Sequence, residues 1–112
     1  FLKGRAAISN NVLVDRDEAI SALRTEWEEI SAFQTITYLE SCIANFGSDD
    51  ALFLHALSEA YAFAWNLRYA PTETRRMTPS EHAALMAQFK TNFWDMTVAD
   101  LNGLIATLEA KY

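Results

Sequence analysis

The sequence predicts an all-α protein, an up-and-down antiparallel bundle of four helices preceded by the remnant of another helix. The 112 residues include only three glycines and two prolines, which is too little turn material for an all-β fold. Apolar residues recur every three or four positions over long stretches, as they do on α-helices. Residues that start or stop helices bound these stretches. At this length we expect a single domain, residues 1–112, which would form half of a larger helical protein.

The first full helix is predicted to begin at Asp15, after a helix remnant at residues 1–9 and a short apolar connector. Asp15 is placed to cap the helix and Glu18 to complete the capping interaction. Its apolar residues are spaced as one stripe, which we expect to face the core. They are Ile20, Leu23, Trp27, Ile30, Phe33, Ile36, Leu39, Ile43 and Phe46. Gly47 is predicted to end the helix in the left-handed conformation.

The second helix is predicted between Gly47 and Pro71, the most apolar stretch of the chain. Ser48 is its predicted N-cap, and the short connection predicts an antiparallel hairpin with the first helix. The predicted core face consists of Phe53, Ala56, Leu57, Ala60, Phe63, Ala64 and Leu67. A narrow polar stripe with His55 and Glu59 lies opposite this face.

Two shorter helices are predicted after a loop at residues 70–77. Thr78 and Glu81 have the spacing of a capping box, which starts the third helix. Its apolar residues are Ala83, Leu85, Met86, Phe89, Phe93 and Trp94. Thr97 caps the fourth helix, whose apolar stripe is Leu101, Leu104, Ile105 and Leu108.

The composition argues against several classes of function. A net charge of −6 with scattered basic residues is not typical of a protein that binds nucleic acid. No stretch approaches the roughly 18 apolar residues of a transmembrane helix. The single cysteine, Cys42, is predicted to be buried. No phosphate-binding loop, nucleophile elbow or zinc-protease motif is present, and we therefore expect no enzymatic activity.

His55 and Glu59 are the candidate metal ligands. Side chains four residues apart lie side by side on a helix, so the imidazole and the carboxylate could share a proton or a divalent metal ion. Such a metal takes three or four protein ligands, so further ligands would have to come from another helix. The alternative, which residue types alone favour, is a hydrogen-bonded pair on a polar edge. Other ionisable residues are predicted to be solvated: Glu28, Glu29, Glu40 and His82.

Four segments resemble a bacterial family of unknown function, number 4856 among such families, of predicted secreted lipoproteins. The segments are GRAAISNN at 4–11, RDEAISALRTEWEEISAFQTITYL at 16–39, LHALSEAYAFAWNLRYAPT at 54–72 and NFWDMTVADLNGLI at 92–105. They occur in order over nearly the whole chain. The family is similar to imelysin-type proteins, which are helical, belong to the cell envelope and are associated with iron acquisition.

The resemblance implies that the chain corresponds to the C-terminal half of an exported, lipid-anchored protein in the periplasm or at the outer membrane. Family members carry an upstream helix with its own His-x-x-x-Glu-Ala pattern, which His55, Glu59 and Ala60 repeat here. The missing N-terminal half would then be the partner that supplies further metal ligands. The imelysin signature, Gly-x-His-x-x-Glu, spaces its pair by three residues rather than four.

We therefore expect a non-catalytic cell-envelope protein that binds a small ligand or a metal such as iron. A structural or partner-binding bundle without a metal is the second hypothesis. A metal-dependent hydrolase is the third, because no activated nucleophile or open three-ligand site can be drawn. The residues leave the identity of the metal and the oligomeric state open.

Overall fold

The computed structural model describes residues 1–112 as five α-helices and two short 3₁₀ helices, without a β-strand. The α-helices are α1 (Leu2–Ser9), α2 (Leu13–Asn45), α3 (Asp50–Asn66), α4 (Pro79–Met86) and α5 (Val98–Glu109). The 3₁₀ helices are Leu67–Tyr69, which continues α3, and Phe93–Asp95. None of the helices combines the length and the apolar character needed to cross a lipid bilayer. The predicted all-α helical bundle is confirmed.

Helices α2 and α3 form an antiparallel hairpin. Near the turn, the Cys42 thiol donates to the Phe53 carbonyl oxygen at 3.7 Å. Far from the turn, the Asn66 amide donates to the Ser31 hydroxyl at 3.0 Å. Gly47 has a φ of +71°, so it closes the turn in the left-handed conformation, as predicted.

The hydrophobic core lies between the second half of α2 and helices α3, α4 and α5. Helix α3 buries its predicted alanine-rich face: Ala56, Ala60 and Ala64 are each no more than 3% exposed. Such small side chains allow neighbouring helices to approach closely. Leucines from four helices fill the centre and are fully buried: Leu39, Leu57, Leu85, Leu101, Leu104 and Leu108.

The predicted apolar stripe of α2 does not face the core as one unit. Five of its members are exposed: Ile20, Trp27, Ile30, Phe33 and Phe46. The face that is buried consists of Glu28, Ser31, Ala32, Thr35, Leu39 and Cys42, of which only Leu39 belongs to the predicted stripe. The cause is the spacing of these residues, which are on average fewer than 3.6 residues apart. Each successive member therefore falls slightly behind one full turn of the helix, and from Ile20 to Phe46 these shifts add up to about 280° around the helix axis. Its first half therefore points away from α3, and only its second half approaches the core.

The start of α2 also differs from the prediction. The helix begins at Leu13, with Val12 as an N-cap that provides no side-chain hydrogen bond. Asp15 and Glu18 do not cap the helix but form ion pairs with Lys3 of α1, at 3.7 and 2.7 Å. The carboxylates predicted to cap α2 therefore pair with α1 at the exposed edge of the contact between the two helices.

The remaining helix starts follow the predicted capping chemistry with one correction. Asp49, not Ser48, caps α3, because its carboxylate accepts from the Leu52 amide at 2.9 Å. The Ser48 hydroxyl instead donates to a carbonyl oxygen at the end of α2. Thr78 and Thr97 cap α4 and α5, each within a complete capping box, as predicted.

Helix α4 is shorter than its apolar pattern predicts, since it ends at Met86 and does not continue to Phe93. The Lys90 ammonium donates to Asp100 at 2.6 Å, which draws the connecting segment to the start of α5. Trp94, predicted as apolar lining of this helix, is exposed.

Candidate functional site

The predicted pair, His55 and Glu59, lies on the side of α3 opposite its buried face. His55 is exposed and Glu59 partly exposed, and neither takes part in any ion pair of the structure. The chain contains no group of three or more His, Cys, Asp or Glu side chains that could hold a metal ion. A metal at this pair would need ligands from outside residues 1–112. Metal binding by His55 and Glu59 stays a prediction.

Glu28, predicted to be solvated, is instead buried where α2 meets the 70–77 loop and the last residue of the chain. Its side chain is 5% exposed. Its Oε1 atom accepts from the Arg76 backbone amide at 2.9 Å and from the Tyr112 hydroxyl at 2.7 Å. Its Oε2 atom is buried without a hydrogen-bond partner. An unpartnered buried carboxylate oxygen costs free energy, so a further donor here would be stabilising.

Tyr112 and Arg76 hold this carboxylate in place. Burial and the hydrogen bond to Glu28 raise the pKa of Tyr112 above its usual value, so its hydroxyl remains a neutral donor. The Arg76 guanidinium pairs with Glu29 and also donates to the Tyr112 carbonyl oxygen at 3.3 Å. The neighbouring carboxylates of α2 therefore bind both the main chain and the side chain of one arginine, which fixes the loop.

A cleft of about 370 Å³ lies beside Glu28, between α2 and the end of α3. Its polar and aromatic lining consists of Arg24, Trp27, Glu28, Ser31, Asn66 and Tyr69. The Ser31 hydroxyl accepts from the Asn66 amide nitrogen and donates to the Trp27 carbonyl oxygen, both at 3.0 Å. Charged, polar and aromatic groups therefore converge on one small cleft, an arrangement typical of ligand sites.

His82, predicted to be exposed, is buried because its position in the first turn of α4 faces α3. Its Nε2 atom lies 3.1 Å from the Ala64 carbonyl oxygen, and its ring packs edge-on against Trp65. It lines a second cleft, of about 600 Å³, together with Arg68 and Arg75. The Arg68 guanidinium stacks over Trp65 at 4.5 Å, so an aromatic ring already occupies one face of this cation.

Cys42 is buried, as predicted. Burial raises the pKa of its thiol to about 11, so the thiol stays protonated at neutral pH. A protonated, inaccessible thiol is not a nucleophile, and Cys42 belongs to the core.

The importance of Glu28 was not predicted, because its charge suggested a solvated position. A signal was nevertheless present in its spacing. Glu28 shares a helical face with Ala32, Thr35, Leu39 and Cys42, which are small or apolar and recur at three- or four-residue intervals. The small side chains on this face of α2 resemble those on the alanine-rich face of α3. This similarity distinguishes the buried face of α2 from the stripe of larger apolar residues.

The family described as "Domain of unknown function (DUF4856)" matches residues 1–112. The chain belongs to the DUF4856 family. Its resemblance to that family is therefore confirmed over the whole chain. No curated protein and no solved structure gives a significant match. The description of DUF4856 assigns no activity, so proposals about its function start from the geometry of these residues.

Proposed function

We propose that this DUF4856 protein is a non-catalytic helical protein whose α2 packs against another helical segment. The observation that carries the proposal is the α2 ridge, formed by Ile20, Trp27, Ile30 and Phe33. These side chains are 39–65% exposed. Scattered exposed apolar residues are ordinary, but a row of large ones along one helix is typical of an interaction surface.

The relative lengths of the helices explain why the first part of the α2 ridge is uncovered within this chain, whereas Ile30 and Phe33 are uncovered because they point away from α3. Helix α2 has 33 residues and α3 has 17. At the rise of an α-helix, α2 extends roughly 50 Å and α3 roughly half as far. Helix α3 therefore covers only the second half of α2, and the molecule is elongated, measuring 56 × 27 × 20 Å.

The partner that we propose for the α2 ridge is the N-terminal half of the same protein, which the family resemblance implies. The apolar surface continues from the ridge onto the start of the chain, because Phe1, Ile20, Leu23 and Trp27 together line an apolar cleft of about 290 Å³. A continuous surface of this kind suits the apolar face of a helix. A second copy of the chain is the competing occupant.

Amide hydrogen exchange on the complete protein tests this packing. Ile30→Glu places a charge on the α2 ridge, and we expect faster exchange in the first half of α2 because the packed helix would be displaced. Ala106→Glu introduces the same charge at an exposed position on α5 and serves as the control. Unchanged protection of α2 in Ile30→Glu would contradict the proposal, and a concentration-dependent change would indicate a second copy.

Binding of iron or another divalent metal by His55 and Glu59 is the second proposal. It is supported by their accessibility and by their separation of one helical turn, with further ligands supplied by the N-terminal half. A location in the cell envelope, with a lipid anchor in the complete protein, is proposed from the family resemblance alone. Metal analysis of the complete protein and of His55→Ala tests the site, since equal metal content in both would exclude His55 as a ligand.

A further inference from the structure

Glu28 combines a buried charge with an unfilled hydrogen-bonding position. Both of its donors reach the same atom, Oε1, whereas Oε2 has none. The residue also lines the cleft between α2 and the end of α3. Oε2 is closed to solvent in this structure, so a donor in the cleft would reach it only after a small rotation of the Glu28 carboxylate toward the cleft, and the new hydrogen bond would relieve the cost of the unpartnered oxygen.

The rest of the cleft supplies groups for the other parts of a small polar ligand. The Asn66 amide nitrogen already donates to Ser31, which leaves the amide oxygen as a second acceptor. The Arg24 guanidinium forms no ion pair in the structure. Trp27 and Tyr69 provide exposed aromatic surfaces. The volume of about 370 Å³ lies near the lower end of the range for small-molecule sites.

These charges favour a ligand that carries both signs. An ammonium group donates to carboxylate and amide oxygens and is attracted to aromatic faces. Arg24 would repel a ligand that is only a cation, and Glu28 would repel one that is only an anion. We propose that the cleft binds a small zwitterion such as a free α-amino acid, with its ammonium group on Glu28 and its carboxylate on Arg24. This inference does not require the packing of the α2 ridge, because the charged contacts come from Glu28 and Arg24, which lie outside the ridge, and Trp27 is the one residue that belongs to both surfaces.

Direct pairing of Arg24 with Glu28 is the competing explanation for both side chains. They are four residues apart on α2, a spacing at which an ion pair can form. The structure contains no such pair. If the only role of Arg24 were to form an ion pair with Glu28, no amino acid would bind in the cleft. Titration with amino acids therefore distinguishes the two explanations.

The test is a calorimetric titration of the purified protein with the common L-α-amino acids. The amino acid that binds most tightly is then compared with the amine that lacks its carboxylate and with the carboxylic acid that lacks its amino group. We expect each analogue to bind on the order of tenfold more weakly, because each loses one charge-assisted contact. Failure of every amino acid to bind at millimolar concentration would overturn the proposal.

Variants of the two charged residues locate the binding. Glu28→Gln retains an acceptor for Arg76 and Tyr112 but removes the charge, and Arg24→Gln changes an exposed side chain without disturbing the core. We expect each to weaken binding by about tenfold or more, whereas Arg68→Gln, outside the cleft, leaves affinity unchanged. If Glu28→Gln does not fold, Arg24→Gln alone decides the outcome. Unchanged affinity in Arg24→Gln, or a crystal grown with the amino acid in which only water bonds Glu28, would overturn the assignment.

Discussion

The two halves of α2 carry similar numbers of apolar residues but bury them to different extents. In the second half, Ala32, Leu39 and Cys42 are fully buried against the rest of the bundle. In the first half, Ile20 and Trp27 are 39% and 65% exposed. The difference lies in the neighbours, because α3 is too short to reach the first half and α1 covers only part of it. Apolar composition therefore indicates that a helix packs against another helix. Whether a given apolar residue is buried depends on its angular position and on the length of the neighbouring helix.

Glu28 lies at the boundary between these two halves. At this position α2 contacts other parts of the chain besides α3. Glu28 accepts hydrogen bonds from Arg76, in the loop before α4, and from Tyr112, the last residue of the chain. At this boundary the side chain of Glu28 makes hydrogen bonds where the neighbouring buried positions of α2 make apolar contacts. The boundary is consequently polar, and it is also where the cleft forms.

The largest expected effect separates the two regions directly. Leu57→Ala removes a fully buried side chain, and we expect it to reduce the free energy of unfolding by about 2–5 kcal/mol. Ile30→Ala, on the exposed α2 ridge, should change it by no more than about 0.5 kcal/mol in a protein limited to residues 1–112. Urea denaturation of both variants provides the measurement. If both variants lost a similar free energy of unfolding, the α2 ridge would have to be buried in residues 1–112, which would contradict the proposed difference between the two regions.

An intermediate effect is expected at the boundary. Glu28→Ala leaves the Arg76 amide and the Tyr112 hydroxyl without their acceptor, which should cost about 1–3 kcal/mol. Glu26→Ala, at an exposed position on the same helix, is the matched control and should be nearly neutral. The same denaturation measurement compares the two, and equal stability would show that the buried hydrogen bonds contribute nothing.

The smallest effect is a loss of stability in acid. Hydrogen bonds from Lys111 and Thr78 lower the pKa of Glu81 from 4.5 to about 2, and bonds from Lys90 and Thr97 lower that of Asp100 from 3.8 to about 2. Because the folded state holds both groups ionised, their contribution is complete above the unfolded values and is lost as the pH falls from about 4.5 to 2. Both carboxylates are solvent-accessible, so the loss is modest.

Melting temperatures measured from pH 6 to pH 2 check this dependence. In the Glu81→Gln variant the side chain at this position cannot ionise, so we expect the melting temperature to fall less steeply with decreasing pH. A variant whose melting temperature falls as steeply as that of the original protein would rule out Glu81 as a source of the effect.

The parts of the fold that could be predicted depend on local chemistry. Capping by Thr78 and Thr97 requires a partner only three residues away, and the turn at Gly47 requires only a left-handed glycine. The buried face of α3 was also predictable, because its small and apolar residues keep a constant angular position. The buried face of α2 was not, since two candidate faces exist and the choice depends on the reach of other helices.

The candidate sites divide in the same way. The local spacing of His55 and Glu59 predicts that they share one side of a helix, but a metal site depends on groups elsewhere. Glu28 could not be identified from its neighbours in sequence, because its partners are 48 and 84 residues away. Only the assembled structure shows that its carboxylate is buried.

The distant hydrogen bonds of Glu28 also bear on the order of events in folding. Contacts that close long loops form later than those within a hairpin, because more chain entropy is lost before they are made. We therefore expect α2 and α3 to associate first and the bonds from Arg76 and Tyr112 to Glu28 to form after the main barrier. Interactions made after the barrier slow unfolding without speeding folding. Glu28 would then govern the lifetime of the folded state more than the rate at which that state is reached.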